Sequence, residues 1–120
     1  NEGVACAVRR NGTVWCWGQN DPLPDGTGSL GDGLPATERC VPYDVVDGVR
    51  RDEPERALPC RRRPTQVVGI SDAVDIAVGV AHQCAVRATG QVLCWGFNDY
   101  GQLGTGDTMA RALPTPVRWY

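Results

Sequence analysis

One cysteine-bounded phrase occurs twice in this chain, as Cys6-Ala-Val-Arg-Arg-Asn-Gly-Thr-Val-Trp-Cys-Trp-Gly18 and as Cys84-Ala-Val-Arg-Ala-Thr-Gly-Gln-Val-Leu-Cys-Trp-Gly96. A unit this short cannot bury an apolar face alone, so a chain built from such units folds by stacking one copy on the next. The phrase also fixes a register. If Gly12 takes the left-handed position of a three-residue hairpin loop, Arg9 pairs with Thr13, Val8 with Val14, Ala7 with Trp15 and Cys6 with Cys16. Gly90 repeats the geometry and sets Cys84 opposite Cys94. Opposed residues of an antiparallel pair stand about 4.5–5.5 Å apart at Cα, within reach of a disulfide. Cys and Val then share one sheet face and Ala with Trp or Leu the other, so both faces are apolar and both are expected to be covered. That demand, repeated along a chain, points to stacked four-stranded sheets of a β-propeller.

The flanking segments divide the rest. Each hairpin is followed by a Gly-rich turn region, Gln19 to Gly33 and Phe97 to Gly106, in which Asn20-Asp21 matches Asn98-Asp99 and Leu30-Gly31 matches Leu103-Gly104. Ahead of the second cysteine phrase stands Asp75-Ile-Ala-Val-Gly-Val-Ala-His82, which has almost no counterpart before the first, so the chain is expected to begin inside a repeat. Residues 34–63 have no counterpart after Gly106 and are read as an insertion. It carries the remaining cysteines, Cys40 and Cys60, which pair with each other once both hairpin pairs are kept. Thr65 to Val68 and Ala73 to Val78 read as strands about a Gly69 to Asp72 turn. The expected organisation is a partial blade over 1–33, the disulfide-tethered insertion over 34–63, a complete blade with its rim loop over 64–113, and the first strand of a further blade over 114–120, about seven strands in all.

The run Trp95-Gly96-Phe97-Asn98-Asp99-Tyr100-Gly101-Gln102-Leu103-Gly104-Thr105-Gly106, with Gly79-x-x-His82 before it and Pro114-x-x-Val117 after it, resembles the regulator of chromosome condensation repeat. The resemblance implies an all-β fold of about two repeats, part of a propeller that is seven-bladed in its parent. It also implies that a blade draws strands from neighbouring repeats. The paired cysteines set the chain apart from nuclear members and resemble the exported bacterial branch.

Candidate chemistry is thin. His82 is the sole histidine and has no sequence partner for a triad or a zinc site. Cysteines nine residues apart do not follow zinc-ligand spacing and are read as disulfides. Asp21, Asp25, Thr27, Ser29 and Asp32 offer oxygens but lack the acidic density of a calcium loop, and turn chemistry explains them. Arg61-Arg62-Arg63 is read as a solvated run beside Asp52, Glu53 and Glu55. Trp15, Trp17 and Trp95 are read as packing between blades. No catalytic residue, metal or cofactor is assigned.

A net charge of -2 and a pI near 5.2 oppose a nucleic-acid surface, where a basic footprint is the rule. No run approaches the length of a membrane span, and the opening Asn1-Glu2-Gly3 carries no leader-like pattern. Six cysteines in pairs imply an oxidising location, extracellular, cell-surface or periplasmic. The expected role is a non-enzymatic binding scaffold for a protein or glycan, part of a longer chain or self-associating. Its contacts are expected on the insertion, at Tyr43, Arg50, Arg51 and Arg56, residue types that often anchor interfaces. Two alternatives are an accessory propeller domain of a larger exported enzyme or adhesin and, as the family name alone implies, a chromatin-binding nucleotide-exchange factor.

Overall fold

The computed structural model describes residues 3–119; Asn1, Glu2 and Tyr120, at the ends of the first and last expected segments, lie outside the described residues. The described chain is all-β. Strands β1 (Val4–Val8) and β2 (Val14–Gln19) form the first hairpin, and β3 (Arg39–Cys40), β4 (Tyr43–Val46) and β5 (Val49–Asp52) follow. A 3-10 turn, Pro54–Arg56, leads into the long β6 (Leu58–Gln66). The second unit comprises β7 (Ala73–Val78), β8 (His82–Arg87), β9 (Val92–Gly96) and β10 (Arg111–Pro116). Two antiparallel four-stranded sheets result, ordered β1-β2-β6-β3 and β10-β9-β8-β7, with β4-β5 as a separate ribbon.

Both hairpins have the register that the cysteines require. Cys6 faces Cys16, Ala7 faces Trp15 and Val8 faces Val14, while Cys84 faces Cys94 and Ala85 faces Leu93. Gly12 and Gly90 sit at φ +84° and +89°, and Arg9 and Gly12 close the first loop through Thr13 and Arg9 carbonyls at 2.9 Å each. The Asn11 side chain reinforces that loop by accepting from Thr13 Oγ1 at 2.7 Å. Sulfurs of Cys6 and Cys16, Cys40 and Cys60, and Cys84 and Cys94 all lie at disulfide distance, with Cα separations of 4.1, 5.8 and 4.1 Å.

The two sheets stack through unlike faces. Val14 and Cys16 of the first sheet, with Leu30 and Val67, enter one core with Ile70, Ala73, Ala85, Leu93 and Trp95 of the second. Thus the Cys/Val face of one unit covers the Ala/Leu/Trp face of the next, with Trp95 fully buried at the seam. The outward faces differ from the expectation of full cover: Ala7 is exposed and Trp15, Trp17, Cys84 and Val86 are half-buried. Two sheets make one interface, so each buries one face against the other. Only Trp95 of the three tryptophans packs fully between sheets; Trp15 instead donates from Nε1 to Thr13 Oγ1 at 2.9 Å and lies under the Arg9 guanidinium.

Several expected boundaries move. Thr65 and Gln66 do not join the second sheet: they end β6 and pair with Cys16 and Trp15 of β2. The same strand runs through the 63/64 boundary, pairing Cys60 with Gln19 and Arg61 with Gly18, so part of the insertion is the third strand of the first sheet, with β3 beyond it. Likewise 114–116 do not begin a further blade. They belong to β10, where Thr115 faces Cys94 and Pro116 faces Leu93. The physical cause is the same in both units: Val67 N donates to Val14 O at 2.8 Å and Val117 N to Val92 O at 3.0 Å, which ties each segment back to the hairpin before it. Ten strands form among the described residues, and of these none in the first sheet corresponds to β7.

Candidate partner-binding surface

Antiparallel connectivity starts the 20–57 segment, the 79–81 turn and the 97–110 loop at one end of the stacked sheets, and both loops reach back along them, where Val68 N donates to Gly31 O at 2.9 Å and Arg118 N to Gly104 O at 2.8 Å. The most prominent feature there is the β4-β5 ribbon, a finger raised on a covalent base. Cys40 and Cys60 are cross-linked, Cys40 pairs with Leu58 and Arg39 with Pro59, and Glu53 N donates to Pro42 O at 2.8 Å. The finger's tip is a two-residue Asp47-Gly48 turn with φ +52° and +76°. Both residues tolerate positive φ, and this turn type matches the twist of the strands it joins.

Strand pairing sorts the expected contact residues. Tyr43 faces Asp52 and Val45 faces Arg50, while Asp44 faces Arg51 and Val46 faces Val49. Side chains alternate, so Tyr43, Val45, Arg50 and Asp52 share one face of the ribbon. The Arg50 guanidinium stacks 4.2 Å from the Tyr43 ring centroid and donates from Nε to Asp52 at 2.8 Å. That hydrogen bond, then the Asp52 charge, raises the Arg50 pKa above its ordinary value. Arg51 lies on the other face with Val46 and Val49. Arg56 is elsewhere, in the 3-10 turn, paired with Glu53. The structure therefore unites Tyr43 and Arg50 and separates Arg51 and Arg56 from them.

Sequence reasoning passed over the finger's valines. Val45 and Val49 are 57% and 56% exposed, and Val46 is exposed as well. An isolated two-stranded ribbon is marginal in water, yet both faces of this one leave apolar side chains without intramolecular cover: Val45 beside Tyr43 on one, Val46 and Val49 on the other. The readable signal was Asp47-Gly48 between Val-Val and Val, a strong hairpin cue. At the finger's foot an apolar groove of about 430 Å³ is lined by Gly3, Val41, Pro42, Tyr43, Leu58 and Pro59 among others.

The remaining candidates are held in structural contacts. Arg61 donates to Asp32 at 2.9 Å and to Pro35 O, and Arg62 to Glu38 at 2.8 Å, so the arginine run pairs with Asp32 and Glu38 rather than standing beside Asp52, Glu53 and Glu55. The possible calcium oxygens are dispersed: Asp21 accepts from Gln19, Asp25 from Thr27, Asp32 from Arg61, and Ser29 is buried. Among the described residues no three His, Cys, Asp or Glu side chains are grouped to hold a metal ion. The His82 ring packs on Gly79, where a Cβ would come within 2.3 Å of it, and its Nδ1 lies 3.3 Å from Val80 O. In the second rim loop Asn98 acts as the hub, donating to Met109 O at 2.9 Å and accepting from Leu103 N at 3.0 Å.

Two family models, both described as the regulator of chromosome condensation (RCC1) repeat, match this chain, one over residues 89–119 and the other over 5–21 and 73–102. Among curated proteins, the human E3 ubiquitin-protein ligase HERC2 is 33% identical over 112 residues, covering 93% of this chain and 2% of that protein. The E3 ubiquitin-protein ligase highwire of Drosophila melanogaster is 33% identical over 66 residues, 55% of this chain and 1% of that one. The Ras guanine nucleotide exchange factor C of Dictyostelium discoideum is 45% identical over 42 residues, 35% and 3% respectively. The chain thus spans a few per cent or less of the length of these relatives.

Proposed function

Because the chain belongs to the RCC1 repeat family, whose repeats build propeller-type protein-interaction domains, we propose that it is a non-enzymatic binding scaffold that grips its partner with the β4-β5 finger. The observation that carries this reading is the exposed β4-β5 ribbon, with Tyr43 and Val45 uncovered on one face and Val46 and Val49 on the other, held out by the Cys40–Cys60 cross-link. A tethered ribbon loses less conformational entropy on binding than a free loop, and Tyr and Arg are frequent anchors of interfaces. A protein partner fits this surface better than a glycan, since Tyr43, Val45, Val46 and Val49 stand exposed among the finger's charged groups.

Three cysteine pairs at disulfide distance favour an oxidising, extracellular-type location. Export to a cell surface or periplasm, in a bacterial source, is our reading of the same feature. A second reading, an accessory domain within a larger protein, draws support from the small share of each relative that this chain matches. Either way the finger is the contact.

The structure places the cut for the test. Pro42 O and Glu53 N are hydrogen-bonded, so replacing Tyr43 to Asp52 by Gly-Gly removes the finger and leaves the Cys40–Cys60 base and β6 intact. Every residue removed is exposed, so the unfolding free energy is expected to change by no more than about 0.5 kcal/mol. Recovery of partners from the native extracellular fraction is expected to be lost. Undiminished recovery by the folded, fingerless protein would place the contact elsewhere.

A further inference from the structure

A second concave surface lies away from the finger, between the rim loops of the two units. Leu23, Pro24 and Asp25 of the first loop and Phe97, Asp99, Thr108, Met109 and Ala110 of the second enclose a groove of about 480 Å³. Its walls are held from behind. Leu23 is buried and its N–H donates to Thr27 O at 2.8 Å, and Met109 is fixed through its carbonyl, which accepts from Asn98 and from Arg111. Met109 nevertheless remains 67% exposed as a residue. The groove is therefore an apolar trough with a firm backbone and a soft wall, and thioethers suit varied occupants.

Its charged groups are of one sign. Asp25 and Asp99 line it, and no Arg is among its lining residues. Asp25 Oδ1 accepts from both the N–H and the hydroxyl of Thr27, which fixes the carboxylate and holds its pKa below the ordinary value. Arg111, the nearest cation along the chain, is committed to Asp107 at 2.9 Å. A neutral apolar occupant would leave two carboxylates partly dehydrated at the groove's rim, which is unfavourable without a compensating donor. A cationic side chain with an aliphatic stem matches both features: the stem covers the Leu23, Phe97 and Met109 surface while the head reaches the carboxylates.

We propose that this inter-loop groove is a second binding site, which takes an arginine side chain from an extended segment of a partner protein. Arginine fits better than lysine because its planar head donates to two acceptors at once and stacks on an aromatic ring. The site is independent of the finger, and it gives the rim two contacts of different chemistry: an apolar ribbon, and an acidic trough at the junction of two units. Joined contacts of this kind raise apparent affinity without either being strong.

The test uses the whole chain, isotope-labelled for amide NMR, with three capped peptides: Gly-Leu-Arg-Leu-Gly, the same peptide with citrulline in place of Arg, and the same with Glu. The Arg peptide is expected to cause saturable shifts at Asp25, Phe97, Asp99 and Met109. Citrulline keeps the shape and loses the charge, and is expected to bind at least about tenfold more weakly, with the Glu peptide silent. The double variant D25N/D99N, at two exposed positions, is expected to lose the preference for Arg over citrulline. No saturable shift with the Arg peptide, equal shifts with citrulline, or shifts confined to another surface would each overturn the proposal. Because this readout does not involve Tyr43 to Asp52, its failure leaves the finger's role standing.

Discussion

Reduction of all three cystines is expected to unfold the protein at room temperature. Cys6–Cys16 and Cys84–Cys94 each close a loop with a sequence separation of 10, and Cys40–Cys60 one of 20. By the chain-entropy estimate each hairpin staple contributes about 2.5–3 kcal/mol and the finger staple about 3 kcal/mol. Their combined loss, about 8–9 kcal/mol if they add, falls inside the roughly 5–15 kcal/mol that a domain holds in total. The expected signature is loss of the strand circular-dichroism signal and of the Trp95 burial that its fluorescence reports. A single pair, C84S/C94S, is expected to lower unfolding free energy by about 2–3 kcal/mol while leaving a cooperative transition. A fully reduced protein that still unfolds cooperatively within about 1 kcal/mol of the oxidised one would remove the covalent frame from the account. It would also remove the main physical reason for an oxidising location.

The stacking of the two sheets has its own test, because the repeat supplies a matched control. Gly12 and Gly90 occupy the same loop position with nearly the same φ, +84° and +89°. An added Cβ at Gly90 meets nothing within 4 Å, whereas at Gly12 it would lie 2.3 Å from Ser71 O and 2.8 Å from Asp72 Cα. Gly12→Ala and Gly90→Ala therefore share the cost of a left-handed alanine, about 1–2 kcal/mol. Gly12→Ala alone must also push back the turn of the neighbouring unit, which adds about 1–3 kcal/mol of overpacking. The neighbouring contact is backbone on both sides: Gly12 O accepts from Ala73 N at 3.0 Å, and no side chain can swing aside. Urea unfolding of the pair is expected to show Gly12→Ala the more destabilising by that difference. Equal losses would mean that the first hairpin does not seat on the 71–72 turn.

How far the sequence could be read depended on whether a feature was fixed within one hairpin. Cysteine register was legible because a slip by a single residue would send Cys16 to the opposite face from Cys6. Unit boundaries were not. Pro64-Thr65-Gln66-Val67 and Pro114-Thr115-Pro116-Val117 are two instances of one pattern, and both read naturally as the opening of a blade. In each case the strand instead pairs with the second strand of the preceding hairpin, through Val67 N to Val14 O and Val117 N to Val92 O. That choice between neighbours is a long-range one, and local alternation is the same for either. The insertion was misjudged for a different reason. It reads as a disulfide-tethered insertion with no strand assigned inside it, although Asp47-Gly48 demands a tight turn and so a ribbon. Once the turn length is known, pleat parity puts Tyr43 with Arg50 and parts them from Arg51; before it is known, the four candidate contacts cannot be sorted. The groove between Leu23 and Met109 was invisible to local reading, since its walls come from loops more than seventy residues apart in a chain of 120.

The central claim is that recognition runs through the finger, and a photo-cross-linker tests it with least disturbance. Benzoylphenylalanine is placed at Val45, exposed on the Tyr43 face of the ribbon, and in a separate protein at Val68, exposed just past the end of β6 and outside the finger. Both substitutions leave the buried core untouched. Irradiation in the native extracellular fraction is predicted to give a discrete covalent adduct from position 45 and none from position 68. An adduct from position 68 alone, with position 45 silent, would contradict the account.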